Sequence, residues 1–286
     1  MTERRRLTVC ASHSPGKERD QQRLEGLDFR AGLAKAKATV AEFDPELVVL
    51  FGGDHRHAFT QIVPAFAVAL SADVIAEAPH PAGRLEVPQA RARALAEHLL
   101  QSGIDVAVCR DVALDHAFAH PLRDLLGGLE ERPVVPVAIN CATPPLPRAD
   151  RVVALGEAVG SFLDTLDERV LVIGTGGLSH SPPSLEADAY DLSDEERARL
   201  IAEGKATASK KIRPEWDAAF LDGLESGDRT ALMQLTDGAH ASAGAGANEV
   251  RTWLAATAAG GGRPLHRVVY QPVEEWITGM AVAVSA

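Results

Sequence analysis

Four histidines in this sequence each follow a short apolar run. His13 comes after Leu7-Thr8-Val9-Cys10-Ala11, and His55 after Leu47-Val48-Val49-Leu50-Phe51. His116 comes after Asp105-Val106-Ala107-Val108, and His180 after Val170-Leu171-Val172-Ile173. Imidazole ligates metals and exchanges protons near neutrality, with an ordinary pKa of about 6.5. In open α/β sheets, ligands bind beyond the carboxyl ends of the strands. Four imidazoles delivered there suggest a metal site with acid–base helpers. A carboxylate completes the set of chemical candidates: Glu249, in Asn248-Glu249-Val250-Arg251-Thr252-Trp253, lies at the start of a helical pattern, four residues before Trp253 on its apolar side.

Each position also has a plainer reading. His13, in Ser12-His13-Ser14-Pro15, could be a solvated or capping loop residue. Glu249 could be an ordinary first-turn glutamate favoured by the helix dipole. In Gly52-Gly53-Asp54-His55-Arg56-His57, Asp54 could orient an imidazole through its ring N–H, and His57 competes with His55 as a ligand. Asp115 directly precedes His116 and is the natural group to orient it or raise its basicity. The loop Gly174-Thr175-Gly176-Gly177-Leu178-Ser179-His180 lacks the lysine of a phosphate-binding loop and the spacing of a dinucleotide site. Its glycines fit a sharp turn that points His180 into a cleft.

The elements that must position these residues alternate between strand and helix. Apolar periodicity predicts helices over 28–43, 88–102, 150–166 and 248–259. Strands are predicted over 46–51, 106–109, 133–140, 169–174, 266–271 and 278–285. Asp115-His116 falls in a loop on this reading, and the prolines of 133–140 suggest an edge position or an irregular start. A charged helical excursion occupies about 184–240, with helices near 193–210, 214–223 and 228–236. The small residues of 241–247 read as a flexible loop. No linker divides the chain. The expectation is α/β: one catalytic domain over 1–286, with a central mostly parallel or mixed sheet flanked by helices.

Composition narrows the function. The chain has 286 residues and is 46% hydrophobic, enough for a large core. A net charge of −11 argues against nucleic acid and anionic membranes as partners. No run approaches the ~18 apolar residues of a membrane span, and the basic start is not followed by a secretory h-region. A soluble cytoplasmic protein is expected. Cys10, Cys109 and Cys141 are too few and too scattered for a disulfide framework or a cysteine-based zinc site.

Taken together, several stretches resemble the class III extradiol ring-cleavage dioxygenases. They are Ser12-His13-Ser14-Pro15, Glu46-Leu47-Val48-Val49-Leu50-Phe51 with Asp54-His55, Asp115-His116 with Phe118-Ala119, Gly176-Gly177-Leu178-Ser179-His180, Thr143-Pro144-Pro145-Leu146-Pro147, and Glu275-Trp276-Ile277. The resemblance spans nearly the whole chain. It implies that His13, His55 and Glu249 bind Fe(II), and that His116 and His180, assisted by Asp115, are the acid–base pair. His180 would be the base toward substrate and His116 the acid, labels that can be exchanged. The implied reaction opens a substituted catechol, of the 2,3-dihydroxyphenylpropionate kind, with both atoms of O2, in a homo-oligomeric enzyme of aromatic catabolism. Asn248 departs from the family, which has a histidine there. Cations that would meet an acidic substrate arm are Arg56, Lys205, Lys210, Lys211 and Arg213. Rival readings are a zinc hydrolase on the same His/His/Glu set, a non-catalytic metal-binding protein of the same fold, and a dioxygenase for another catechol, a gallate-like ring or an aminophenol.

Overall fold

A computed structural model describes residues 5–186 and 193–285. Its centre is an eight-stranded sheet. Four of its strands, β1 (Arg6–Ala11), β2 (Leu47–Gly52), and further along the chain β8 (Val134–Ile139) and β9 (Val170–Thr175), are buried along almost their whole length. Continuous burial of β-branched and other apolar residues is what a sheet covered on both faces requires. These four strands are mutually parallel in the order β1-β9-β2-β8. Beyond β8 lie β3 (Phe66–Ala69), antiparallel to it, and β6 (Ala107–Cys109). On the other side, β11 (Thr278–Ser285) pairs antiparallel with β1, and β10 (Leu265–Val273) closes that edge. The sheet is therefore mixed, with a parallel centre. A small second sheet is formed by β4 (Ala72–Val74), β5 (Gly83–Arg84) and β7 (Val112–Leu114).

The helices are α1 (Pro15–Arg19), α2 (Leu27–Phe43), α3 (Gln89–Gln101), α4 (His116–Leu125), α5 (Ala149–Leu163), α6 (Pro183–Glu186), α7 (Asp194–Ala208), α8 (Pro214–Ser226), α9 (Arg229–Asp237), α10 (Ala239–Ala243) and α11 (Val250–Ala259). They cover both faces of the sheet. One apolar cluster is built with Phe29 and Leu33 of α2 and Phe118 and Leu122 of α4. The other uses Leu95 of α3, Val152 of α5, Phe220 of α8 and Trp253 of α11. Among the described residues no helix is long and apolar enough to cross a membrane.

Three expectations change. The segment carrying Asp115-His116 is not a loop: Asp115 caps α4 by accepting the Ala117 N–H at 2.9 Å, and His116 is the first helical residue. Strand β8 is internal rather than at an edge. It tolerates Pro136 because the β3 pairing ends at Val68 opposite Val137, one residue short of the proline. The small residues around 241–247 are not a flexible loop. They form α10 and a buried 3-10 turn, Ala245–Glu249, since residues this small let backbone pack against backbone.

Candidate active site

The loops leaving the carboxyl ends of β1, β2 and β9 converge beside the N-termini of α4 and α11. They bring together all five residues singled out by the sequence. His13, His116, His180 and Glu249 are buried, and the side chain of His55 is 19% exposed. The five line a cavity of about 680 Å³, whose further walls include Pro182–Leu185 and Trp276–Thr278.

Each imidazole has its Nδ1 engaged. His55 Nδ1 lies 3.0 Å from Asp115 Oδ2. His116 Nδ1 lies 2.9 Å from Glu77 Oε1, and His180 Nδ1 lies 2.8 Å from the Leu178 carbonyl. These partners accept, so Nδ1 carries the hydrogen, which leaves Nε2 of His116 and His180 to present a lone pair, whereas His55, with a carboxylate at each nitrogen, carries a hydrogen on both. His13 Nδ1 is 2.8 Å from the Thr175 hydroxyl. The Nε2 atoms of three rings gather around Glu249. His55 Nε2 is 2.6 Å from its Oε1, His13 Nε2 is 3.8 Å from Oε1, and His180 Nε2 is 3.8 Å from Oε2.

Glu249 is held where β9 meets α11. Its Oε2 accepts the Gly177 N–H at 2.6 Å, and Trp253 Nε1 donates to the Gly176 carbonyl at 3.1 Å. Gly176 has φ of +151°, and a Cβ there would lie 2.4 Å from Glu249 Cβ, so the carboxylate can sit here only beside glycine. His180 is fixed from both sides. The Gly246 N–H donates to its carbonyl at 3.1 Å. The preceding Ser179 is clamped by buried Asp217 of α8, which accepts its N–H at 2.7 Å and its hydroxyl at 2.8 Å.

The electrostatics follow from burial and charge. Burial keeps His13 neutral, with a pKa lowered to about 3. Burial also acts against charging His55, but Asp115 and Glu249 outweigh it and raise that pKa well above the usual imidazole range. Burial opposes ionisation of Glu249 and Asp115 too. The surrounding histidines win, and both carboxyls are held below their ordinary range. The result is a buried cluster in which His55 is the cation between two carboxylates; a divalent ion in place of its Nε2 proton would leave only neutral and anionic donors, as such an ion requires.

Some expectations are corrected here. Asp115 serves His55, accepting both its backbone N–H at 2.7 Å and its ring N–H, and it does not hold His116. Glu77 does, and no pattern in Ala76-Glu77-Ala78-Pro79 signalled it. Asp54 orients no imidazole; it accepts the backbone N–H groups of His57, Ala58 and Phe59. His57 lines the cavity but is exposed. Of the candidate cations, Arg56 lines the cavity, with Nη2 donating to the Ala142 carbonyl at 3.0 Å. Lys211 and Arg213 line a neighbouring cavity of about 390 Å³ instead, and Lys210 lines neither. The Lys205 side chain lies outside the described residues. Arg19, absent from the sequence-based list, lines the main cavity.

Residues 7–281 match the family described as the catalytic LigB subunit of aromatic ring-opening dioxygenase. The chain belongs to this family. LigB-family membership makes it a ring-cleaving dioxygenase, as its curated relatives are named. A Klebsiella pneumoniae (strain ATCC 700721 / MGH 78578) protein called 2,3-dihydroxyphenylpropionate/2,3-dihydroxicinnamic acid 1,2-dioxygenase is 39% identical over 94% of this chain and 95% of its own. Proteins of the same name are 35% identical in Azotobacter vinelandii, over 96% of each chain, and 40% identical in Pseudomonas putida, over 86% of this chain and 87% of the relative. An uncharacterized Escherichia coli K12 protein has the same fold, with a TM-score of 0.57 at 14% identity, covering 98% of this chain and 99% of that one.

Proposed function

We propose that the cavity binds Fe(II) through His13, His55 and Glu249 and opens a 2,3-dihydroxyphenylpropionate-like catechol, with His116 and His180 as the acid–base pair. The observation that carries this is the convergence of the His13 and His55 Nε2 atoms on one Glu249 oxygen, with both Nδ1 atoms already engaged. Two imidazoles and a carboxylate on one side of an ion form the facial triad of non-haem iron oxygenases.

A three-imidazole set is the competing arrangement, because donor atoms of His13, His55 and His116 lie within 4.8 Å of one another. Ring geometry favours Glu249. His55 and His116 are stacked, with centroids 4.3 Å apart and planes within 13°. Imidazole ligates in the plane of its ring at roughly 2 Å. Two rings stacked in this way do not direct their in-plane lone pairs at one point, so His55 and His116 would not both hold the metal. His116 is left to handle protons.

Bound Fe(II) would supply positions for the two catechol oxygens and for O2, and a route for electrons from ring to oxygen. The protein's own work is proton transfer. One of His116 and His180 accepts a catechol proton at Nε2, and the other returns a proton as the ring opens. The substrate class follows the names of the relatives. The whole chain would act as one catalytic domain, supported by the pairing of β11, from one end of the chain, with β1 from the other. The enzyme would act in the cytoplasm as a homo-oligomer, the assembly that the family resemblance implies.

The test is anaerobic Fe(II) loading followed by aerobic addition of 2,3-dihydroxyphenylpropionate. A yellow ring-opened product is expected from the wild type. Glu249→Ala should fail to retain iron. His116→Phe and His180→Phe should retain it and lose turnover. Full turnover in both histidine variants refutes the pair, and an iron-loaded wild type that opens no catechol refutes the oxygenase reading.

A further inference from the structure

A substrate of this proposed kind carries a carboxylate on a short arm, and the cavity must meet that charge. Two arginines line it, Arg19 and Arg56. Arg56 is turned toward the protein, with Nε 3.3 Å from Thr143 Oγ1 and Nη2 on the Ala142 carbonyl. Arg19 belongs to α1, directly downstream of His13, and its neighbours are anchored inward. Lys17 is buried and pairs with Asp124 of α4, and with Glu18 at 2.7 Å. Glu18 also meets His80 at 2.8 Å. Asp20 pairs with Arg30 at 3.0 Å and accepts the Glu25 N–H. Arg30 in turn lies over the Trp276 ring, 5.0 Å from its centroid. The chain around Arg19 is thus tied to the helix that begins with His116 and to a tryptophan in the cavity wall.

Among the described residues, the Arg19 side chain makes no ion pair or hydrogen bond, although Glu275 lines the same cavity. It is exposed, which puts it at the mouth, while His13, His116, His180 and Glu249 form the buried floor. A guanidinium offers a forked set of donors that matches a carboxylate.

We propose that Arg19 is the specificity-determining residue that binds the carboxylate of the substrate's side arm, with the catechol ring held at the histidine floor. This rests on the function proposed above. It predicts discrimination by charge: a catechol with a neutral arm of equal length can fill the cavity but leaves the guanidinium without a partner.

The experiment compares kcat/KM for 2,3-dihydroxyphenylpropionate and for 3-propylcatechol in the iron-loaded wild type and in Arg19→Gln. The wild type should prefer the acid. The variant should lose that preference by roughly 10-fold, through KM for the acid rather than kcat. Arg19→Lys should keep part of the preference. Arg19→Glu should instead favour 3-(3-aminopropyl)catechol over the acid, a gain that misfolding cannot produce. An active wild type without acid preference, or an unchanged preference in Arg19→Gln, overturns the assignment while leaving the dioxygenase reading standing. A wild type that opens neither catechol sinks both.

Discussion

Each of the four imidazoles of the proposed site is defined by what holds its Nδ1. A carboxylate stabilises the charged form of the ring it touches, whereas a backbone carbonyl mainly fixes orientation. His55 has Asp115 and His116 has Glu77, so two carboxylates serve neighbouring stacked rings with different proposed duties. Separate consequences follow. Asp115→Asn should weaken metal binding about 10- to 100-fold, the usual effect of losing a carboxylate behind a ligating histidine. Glu77→Gln should leave the iron content intact and lower kcat about 10-fold or more. Competition with a chelator measures the first and steady-state kinetics of the loaded enzyme the second. Equal loss of iron in both variants would mean that Glu77 supports the metal site rather than the proton relay.

At the scale of elements, the strands that deliver His13, His55 and His180 were legible because each is a continuous apolar run ending in glycine or a polar turn. Helix α4 was not. Its cap, Asp115, reads as a loop residue, and Pro121 inside it obscures the helical pattern. Asp217 was equally hidden, because in a charged amphipathic helix a buried aspartate looks like any surface acid; its purpose appears only when Ser179 and Tyr270 are seen to meet it. The small-residue stretch before Glu249 misled for a related reason. Glycine and alanine there serve close approach, which composition does not distinguish from flexibility. Gly246 shows the difference. A Cβ at this position would come 2.2 Å from His180 Nε2 and 2.4 Å from its Cδ2, so the ring must move if the residue grows by one methyl group. Its φ is not in the left-handed region, so alanine strains the contact and not the backbone. Gly246→Ala should therefore fold and keep its metal, yet lose about 100-fold in kcat, the scale expected when a catalytic group is displaced by about 1 Å. Retained turnover would show that the His180 ring has room to shift.

For the whole molecule, gathering these side chains puts several buried imidazoles within ring contact of one another, and that links folding to pH. His120 lies behind the site on α4, 4% exposed, with ring centroids 5.1 Å from His116 and 6.3 Å from His13. Its Nδ1 has no partner among the described residues. Burial, then the neighbouring His116 and His13, push its pKa well below the ordinary imidazole range. The sign of the effect follows. In the unfolded chain His120 takes up a proton near pH 6.5, while in the folded protein it stays neutral far lower. The unfolded state therefore binds more protons below that point, and stability falls as pH falls. Between pH 7.5 and 5.5 one such histidine removes about 1.4 kcal/mol, or roughly 2 °C of Tm for a chain of this length. Replacing it by an uncharged residue of similar size, His120→Leu, should remove that share of the acid lability. Chelator-treated protein is the material to use, since proton competition for the metal ligands would otherwise add to the slope. Melting curves at the two pH values should show a smaller drop in Tm for the variant than for the wild type. Identical drops would mean that His120 gains a proton in the folded state as readily as in the unfolded one.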